Sequence, residues 1–426
     1  MKKLFVSALA VLALGFTSCI EDDDTPIVIE EVTNNYNNNG GDDNDDACIV
    51  KSGGIAVNET WTADKCYILD RKVVVQEGVT LTIEPGTIIK GRAGTGSLSS
   101  ALIVARGGML IAEGTTSQPI IFTSEADNIA IGETAGTNLD ENNIGLWGGI
   151  IVLGNATSSL SGDVTEKQIE GIPASDTFGL YGPGDGGAID DQNSGIIRYV
   201  SIRHGGSLLG EGNEINGLTL GGVGSGTTLD HIEVIANKDD GIEFFGGTVS
   251  ASNLLVWAQG DDGIDIDEAY SGTITNAIVA LGVNSDHALE IDGPAGSING
   301  ACVIQDLTLI GNGSLNSEYA DYRDNAQIAS NNIYAYGFGD ESDVELDNDG
   351  VATNYNSGLI SFSDWEIVLP TAVTAVEDIF VNKATTVTVT GFGSEATAVS
   401  SGANTVGADA SVLSWTFAIS TGGISL

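Results

Sequence analysis

Asp239-Asp-Gly-Ile-Glu-Phe-Phe-Gly247 is one of three similar stretches whose reading decides the fold. The others are Asp261-Asp-Gly-Ile-Asp-Ile-Asp267 and Asp286-His-Ala-Leu-Glu-Ile-Asp292. Each follows an apolar run, beginning at Asp230, Asn253 and Asn276, with successive starts 23 residues apart. Self-similarity at such a period marks a solenoid. Short alternating apolar and polar runs, separated by Gly, Asn and Asp, specify strands and tight turns. The spacing leaves no room for crossover helices, so each coil must stack on the previous one. The fold class is therefore all-β, a parallel β-helix.

Alternation assigns the faces. Ile242, Phe244, Ile264, Ile266, Leu289 and Ile291 point inward. Glu243, Asp265 and Glu290 point outward, with Asp267 and Asp292 beside two of them. Stacked strands lie about 4.8 Å apart, so these acids form a vertical column. Like charges at that spacing repel unless a cation, a proton or good solvation intervenes.

Composition bounds the function. The chain has 426 residues, 58 glycines and a net charge of −44. Such a charge argues against nucleic acid or an anionic membrane surface as a direct partner. It is compatible with cations, neutral glycans and basic partners.

Lys2 and Lys3, the apolar run 4–16 and Thr17-Ser18-Cys19 read as a secretory signal ending at a cysteine. The stretch resembles a bacterial lipoprotein signal, which implies removal of residues 1–18, lipidation of Cys19 and attachment to the outer membrane. Glu21-Asp-Asp-Asp24 then resembles the surface-export tag of Bacteroidota lipoproteins. Residues 19–47 are rich in Asn, Asp and Gly and read as a disordered tether. The β-helix is expected over 48–366 and a β-rich cap over 367–426, with 385–391 as a strand. In an exported protein Cys48 and Cys66 are expected to form a disulfide, and Cys302 to be a core residue. Three excursions are expected, at 125–146, 157–195 and 311–327.

Gly86-Thr-Ile-Ile-Lys-Gly, Gln118-Pro-Ile-Ile-Phe-Thr-Ser, Leu146-Trp-Gly-Gly-Ile-Ile-Val-Leu-Gly, Asp239-Asp-Gly-Ile-Glu-Phe-Phe-Gly-Gly-Thr-Val249 and Ser414-Trp-Thr-Phe-Ala418 carry a wider resemblance. The chain resembles a family of Bacteroidota surface lipoproteins with no established activity, which implies a right-handed, pectin-lyase-like parallel β-helix. The likeness implies fold and location and leaves function open.

Three kinds of chemistry fit these residues. Hard carboxylate oxygens suit Ca²⁺, with Glu243, Asp265, Asp267, Glu290 and Asp292 as ligands to one or two ions. Extended glycans are the second candidate, with Trp257, Tyr319, Tyr322, Tyr334 and Tyr336 as stacking platforms. Thirdly, Asn237-Lys-Asp239, Asp261-Asp262 and Asp286-His287-Ala288 resemble the catalytic series of the polygalacturonases. That likeness implies acid and base roles for Asp239, Asp261 and Asp262, tuned by His287. Ala288 stands where that series has glycine, and its Arg-x-Lys is missing. A calcium-dependent lyase would use Arg323 as its base. The expected role is a non-catalytic adhesion, glycan-binding or envelope scaffold; the alternative is a polysaccharide-degrading hydrolase or lyase.

Overall fold

The computed structural model describes residues 48–174, 176–208, 214–313 and 317–424. The signal, Cys19 and the tether lie outside the described residues. Among the described residues twenty-four strands form one continuous stack in which each strand pairs in parallel with its counterpart on the next coil. The expected inward ladder is present. Leu218, Ile242, Ile264 and Leu289 lie in register, as do Phe244, Ile266, Ile291, Tyr322 and Leu346. All are buried in one apolar core running the length of the stack. Complete burial of each such side chain contributes about 1.5–3 kcal/mol.

A second ladder shapes each coil. Tyr199, His231, Asn253, Asn276, Asp306, Asn332 and Asp364 all have φ between +49° and +60°. Each bends its strand through the left-handed region, which Asn and Asp tolerate better than other residues with a β-carbon. Side-chain bonds tie neighbouring bends, Asn276 Nδ2 donating to Asn253 Oδ1 at 2.7 Å and Asn332 Nδ2 to Asp306 Oδ1 at 2.8 Å. This register corrects the uniform 23-residue period. Asn253 stacks on His231 and not on Asp230, because Asp230 pairs with Ser252 and Ile232 with Leu254. On the acidic face Ile242, Ile264 and Leu289 are in register although their spacings are unequal, so turns between strands absorb different lengths.

Three boundaries also change. The expected excursion at 311–327 contains the coil strand Ala320–Tyr322, and Tyr319 and Tyr322 are fully buried. The stack continues past residue 366, since Phe380–Asn382 pairs with Val344–Leu346 and Ala396–Ala398 with Ile360–Ile367. Residues 385–391 form no strand. After residue 398 the chain runs back along the outside of the stack, packing Leu413, Ala418 and Ile424 against Ile235, Leu255, Trp257 and Ile278. At the first coil Cys48 and Cys66 are disulfide-bonded with Cα atoms 4.6 Å apart, and Cys302 is a buried free thiol. No helix among the described residues is long and apolar enough to cross a membrane.

Candidate functional site

One outward register changes character halfway along the molecule. Val74, Ile103, Ile151, Thr219, Glu243, Asp265, Glu290, Asp321, Glu345 and Val381 stack in that order. The apolar half is covered by the excursion at 157–195. Leu160, Ile169, Ile172 and Tyr181 pack there against Val74, Ile103, Ile151, Leu153 and Phe245. Lys167 Nζ and Tyr181 Oη reach Glu268 at 2.8 and 2.7 Å. Where this cover ends, the acids begin.

The acids point out of the coil as expected, yet they are not a hydrated face. Glu243, Asp265 and Glu290 are only 4%, 8% and 8% exposed. Asp321 and Glu345 extend the column by two coils, and the alternation of Ala320-Asp-Tyr322 and Val344-Glu-Leu346 carries the signal for them. Close packing of carboxylates disfavours their charged forms. Burial first, then Asp267 and Glu170, pushes Glu243 well above the usual carboxylate range. Burial, Glu243 and Asp267 do the same to Asp265. Burial and Asp262 raise Glu290 to about 9 despite Arg323, whose Nη1 lies 2.5 Å from Glu290 Oε1.

A parallel ladder runs three residues earlier on each coil. Asn216 Oδ1 accepts the Asp240 amide at 3.2 Å, Asp240 Oδ1 the Asp262 amide at 2.9 Å, and Asp262 Oδ1 the His287 amide at 2.8 Å. His287 Nδ1 also lies 2.7 Å from Asp262 Oδ1. Burial works against its charge, but Asp262 and Asp286 outweigh it and raise His287 to about 10. Thus Asp262 and His287 form a buried ion pair built into the coil-to-coil ladder. Asp239 and Asp261 lie nearer solvent. Burial and Glu214 raise Asp239 to about 7; burial and Asp262 raise Asp261 to about 6.

The structure regroups the expected site residues. Among the described residues four sets place one ligand atom per residue within 4.8 Å of one another. They are Asp239–Asp240–Asp261, Asp240–Glu243–Asp265, Asp262–His287–Glu290 and Glu318–Asp343–Glu345. The five expected metal ligands therefore do not share one centre. Glu243 and Asp265 join Asp240, whereas Glu290 joins Asp262 and His287. Asp267 and Asp292 stand outside all four sets, and Arg323 Nε lies 3.7 Å from Asp292 Oδ1. Asp240, Glu318, Asp343 and Glu345 were not expected. Asp240 was legible beside Asp239 and Glu345 in the alternation of Val344-Glu-Leu346, whereas Glu318 falls in the stretch read as an excursion. The donor set, all hard oxygen in the second group, fits Ca²⁺, and two ligands of one such ion lie at most about 4.6–5.2 Å apart. Asp265 Oδ1 is buried there without a hydrogen-bond partner.

The expected glycan-stacking aromatics are covered. Tyr319 and Tyr322 sit in the core, Tyr319 stacking on Phe338 at 3.7 Å. Tyr334 is 7% exposed, and Trp257 lies under the returning C-terminal segment. Only Tyr336 of the five is partly accessible, tilted against Tyr334.

A single parallel stack with acids aligned coil upon coil defines the molecule as an acid-lined β-helical solenoid. A family model described as a pectate-lyase like beta helix domain matches residues 53–420, and the chain belongs to that family. No curated protein and no solved structure matches it.

Proposed function

We propose that the chain is a non-catalytic, extracytoplasmic β-helix scaffold whose acidic column holds divalent cations, Ca²⁺ by its donor chemistry. The observation that carries this reading is the Asp240–Glu243–Asp265 group. It brings three carboxylates within the span of one ion, buries them, and leaves Asp265 Oδ1 without a partner. With four of the five candidate stacking aromatics covered, adhesion to an extracellular glycan would run through the acidic column and its cations. Location rests on sequence. Cys19 and the acids after it support a lipid-anchored, surface-exposed protein of the Bacteroidota lipoprotein type.

Calcium added to the metal-stripped protein should raise its melting temperature, since a ligand of the folded state alone stabilises it. Asp265→Asn should blunt that rise more than Asp163→Asn. Equal stabilisation by sodium chloride at matched ionic strength, with no saturable heat of binding, would refute the reading. Cys19→Ala should release the protein from the envelope fraction; unchanged retention would remove the anchor.

A second reading, polysaccharide hydrolysis, draws on Asp239 and Asp261, which lie near solvent and are raised towards neutral pH. Their ligand oxygens lie within 4.8 Å, closer than the roughly 6.5–9.5 Å between carboxyl groups of an inverting hydrolase. Asp262 is occupied by the His287 amide and imidazole. Loss of reducing-end release in Asp239→Asn, at unchanged melting temperature, would favour hydrolysis over the scaffold.

A further inference from the structure

Two of the four ligand groups overlap. Asp240 belongs both to Asp239–Asp240–Asp261 and to Asp240–Glu243–Asp265. The groups lie along the chain on either side of it. Glu243 and Asp265 are on the strands Ile242–Phe245 and Ile264–Asp267 and are buried. Asp239 and Asp261 precede those strands; Asp239 is half-buried and Asp261 exposed.

The chain's own cations are placed elsewhere. Among the described residues Lys238 pairs with Glu214 and Lys167 with Glu268, while His287, Arg323 and Lys383 serve Asp262, Glu290, Asp292, Glu318 and Glu345. Among the described residues no ion pair reaches any of the five acids of the overlapping groups. Asn216 supplies a close side-chain amide donor, its Nδ2 contacting Glu243 Oε2. Asp240 keeps its fixed place by accepting the Asp262 amide through Oδ1. The orphaned Asp265 Oδ1, in a side chain only 8% exposed, is an independent sign of a missing electropositive partner on the buried side.

We propose that the overlapping groups form one bridged pair of divalent-cation sites, with the Asp240 carboxylate spanning an inner and an outer ion. The inner ion is held by Asp240, Glu243 and Asp265 and is largely dehydrated. The outer ion is held by Asp239, Asp240 and Asp261 and keeps more of its water. This rests on the reading of the acidic column as a cation site and adds to it the stoichiometry and the bridge. Ca²⁺ suits both, because it accepts several oxygen ligands in flexible geometry and tolerates bound water.

Calorimetric titration of the metal-stripped full chain with calcium chloride is the test. The wild type should take up two ions. Asp261→Asn should keep one ion, in the buried site, and Asp265→Asn should keep one in the exposed site. Asp240→Asn should weaken both by at least tenfold. Asparagine at 240 keeps the oxygen that accepts the Asp262 amide, and an unchanged circular-dichroism spectrum checks that the coil is intact. A wild-type stoichiometry of one overturns the bridged pair and leaves the scaffold reading in place. Two independent ions, with Asp240→Asn losing only one, also overturn it. No saturable binding at all removes both.

Discussion

Gly241 and Gly263 precede the inward isoleucines where a side chain has no room. A β-carbon at Gly263 would lie 2.3 Å from Val279 Cγ1 and 2.5 Å from the Ala288 carbonyl oxygen. The Asp-Asp-Gly of the repeat is therefore a packing requirement as much as a chemical motif. Gly263→Ala should cost about 1–3 kcal/mol by overpacking, measured by equilibrium urea unfolding. A change below a few tenths would mean that Val279 moves aside freely. Lys72 makes the opposite case, a charge placed where a neutral group belongs. It is 2% exposed, its Nζ donates to the Ser99 carbonyl, and burial lowers it to about 7 against the pull of Asp176. Between pH 7 and the ordinary lysine value the unfolded chain binds a proton that the folded chain lacks, so this residue makes stability rise with pH there. Below pH 7 the folded chain carries the full penalty of a buried ammonium. Lys72→Met should therefore stabilise the protein more at pH 6 than at pH 10. An equal gain at both would show that the amine is not shifted.

Among the elements, the returning C-terminal segment binds distant coils to one another. Thr405 donates to Glu366 at 2.5 and 2.6 Å, the Ala408 amide to Thr308 Oγ1 at 3.0 Å, and the Asp409 amide to Asn276 Oδ1 at 2.6 Å. Further back, the Ala418 amide donates to buried Glu233 at 2.9 Å, and Arg203 lies 4.6 Å over the Phe417 ring. In a solenoid each coil touches mainly its neighbours, so unfolding can begin at an end and stop partway. A segment spanning many coils couples them. A chain ended after residue 398 should unfold less cooperatively, and Trp257 emission should shift to the red as its cover is lost. An unchanged spectrum would show that Trp257 is covered by something other than this segment. The Ser414-Trp-Thr-Phe-Ala418 motif was conspicuous in sequence, but its partners at Tyr199, Arg203 and Glu233 are some two hundred residues away. Local pattern could suggest only a terminal cap.

For the molecule as a whole, the acidic column couples stability to pH and to cations. Burial is the first cause in raising Asp239 and Glu318 to about 7, Asp261 and Asp321 to about 6, and Glu290 to about 9. Between the ordinary carboxylate values and these, the folded chain holds more protons than the unfolded chain. Stability from these groups is intact at low pH and falls as pH rises through that window. His287, held protonated to about 10, acts in the same direction above its ordinary value. In EDTA the protein should therefore melt higher at pH 5 than at pH 8, and calcium should recover most of the difference at pH 8 by replacing protons. A melting temperature that rises from pH 5 to pH 8 in EDTA would contradict these shifts.

The sequence by itself determined the solenoid, the inward ladder of Ile242, Ile264 and Leu289, and the outward direction of Glu243, Asp265 and Glu290. These follow from a period of two along a strand, which is local and survives small errors in repeat length. Tertiary structure alone decided which acids meet. The coils differ in length, so Asp240 rather than Asp267 closes on Glu243 and Asp265, and Glu290 turns to Asp262, His287 and Arg323. It also decided how wet the column is. Exposure depends on the carboxylates packed above and below and on the cover at 157–195. None of these is a neighbour in sequence, and a stacking register with unequal coils cannot be counted from one strand to the next.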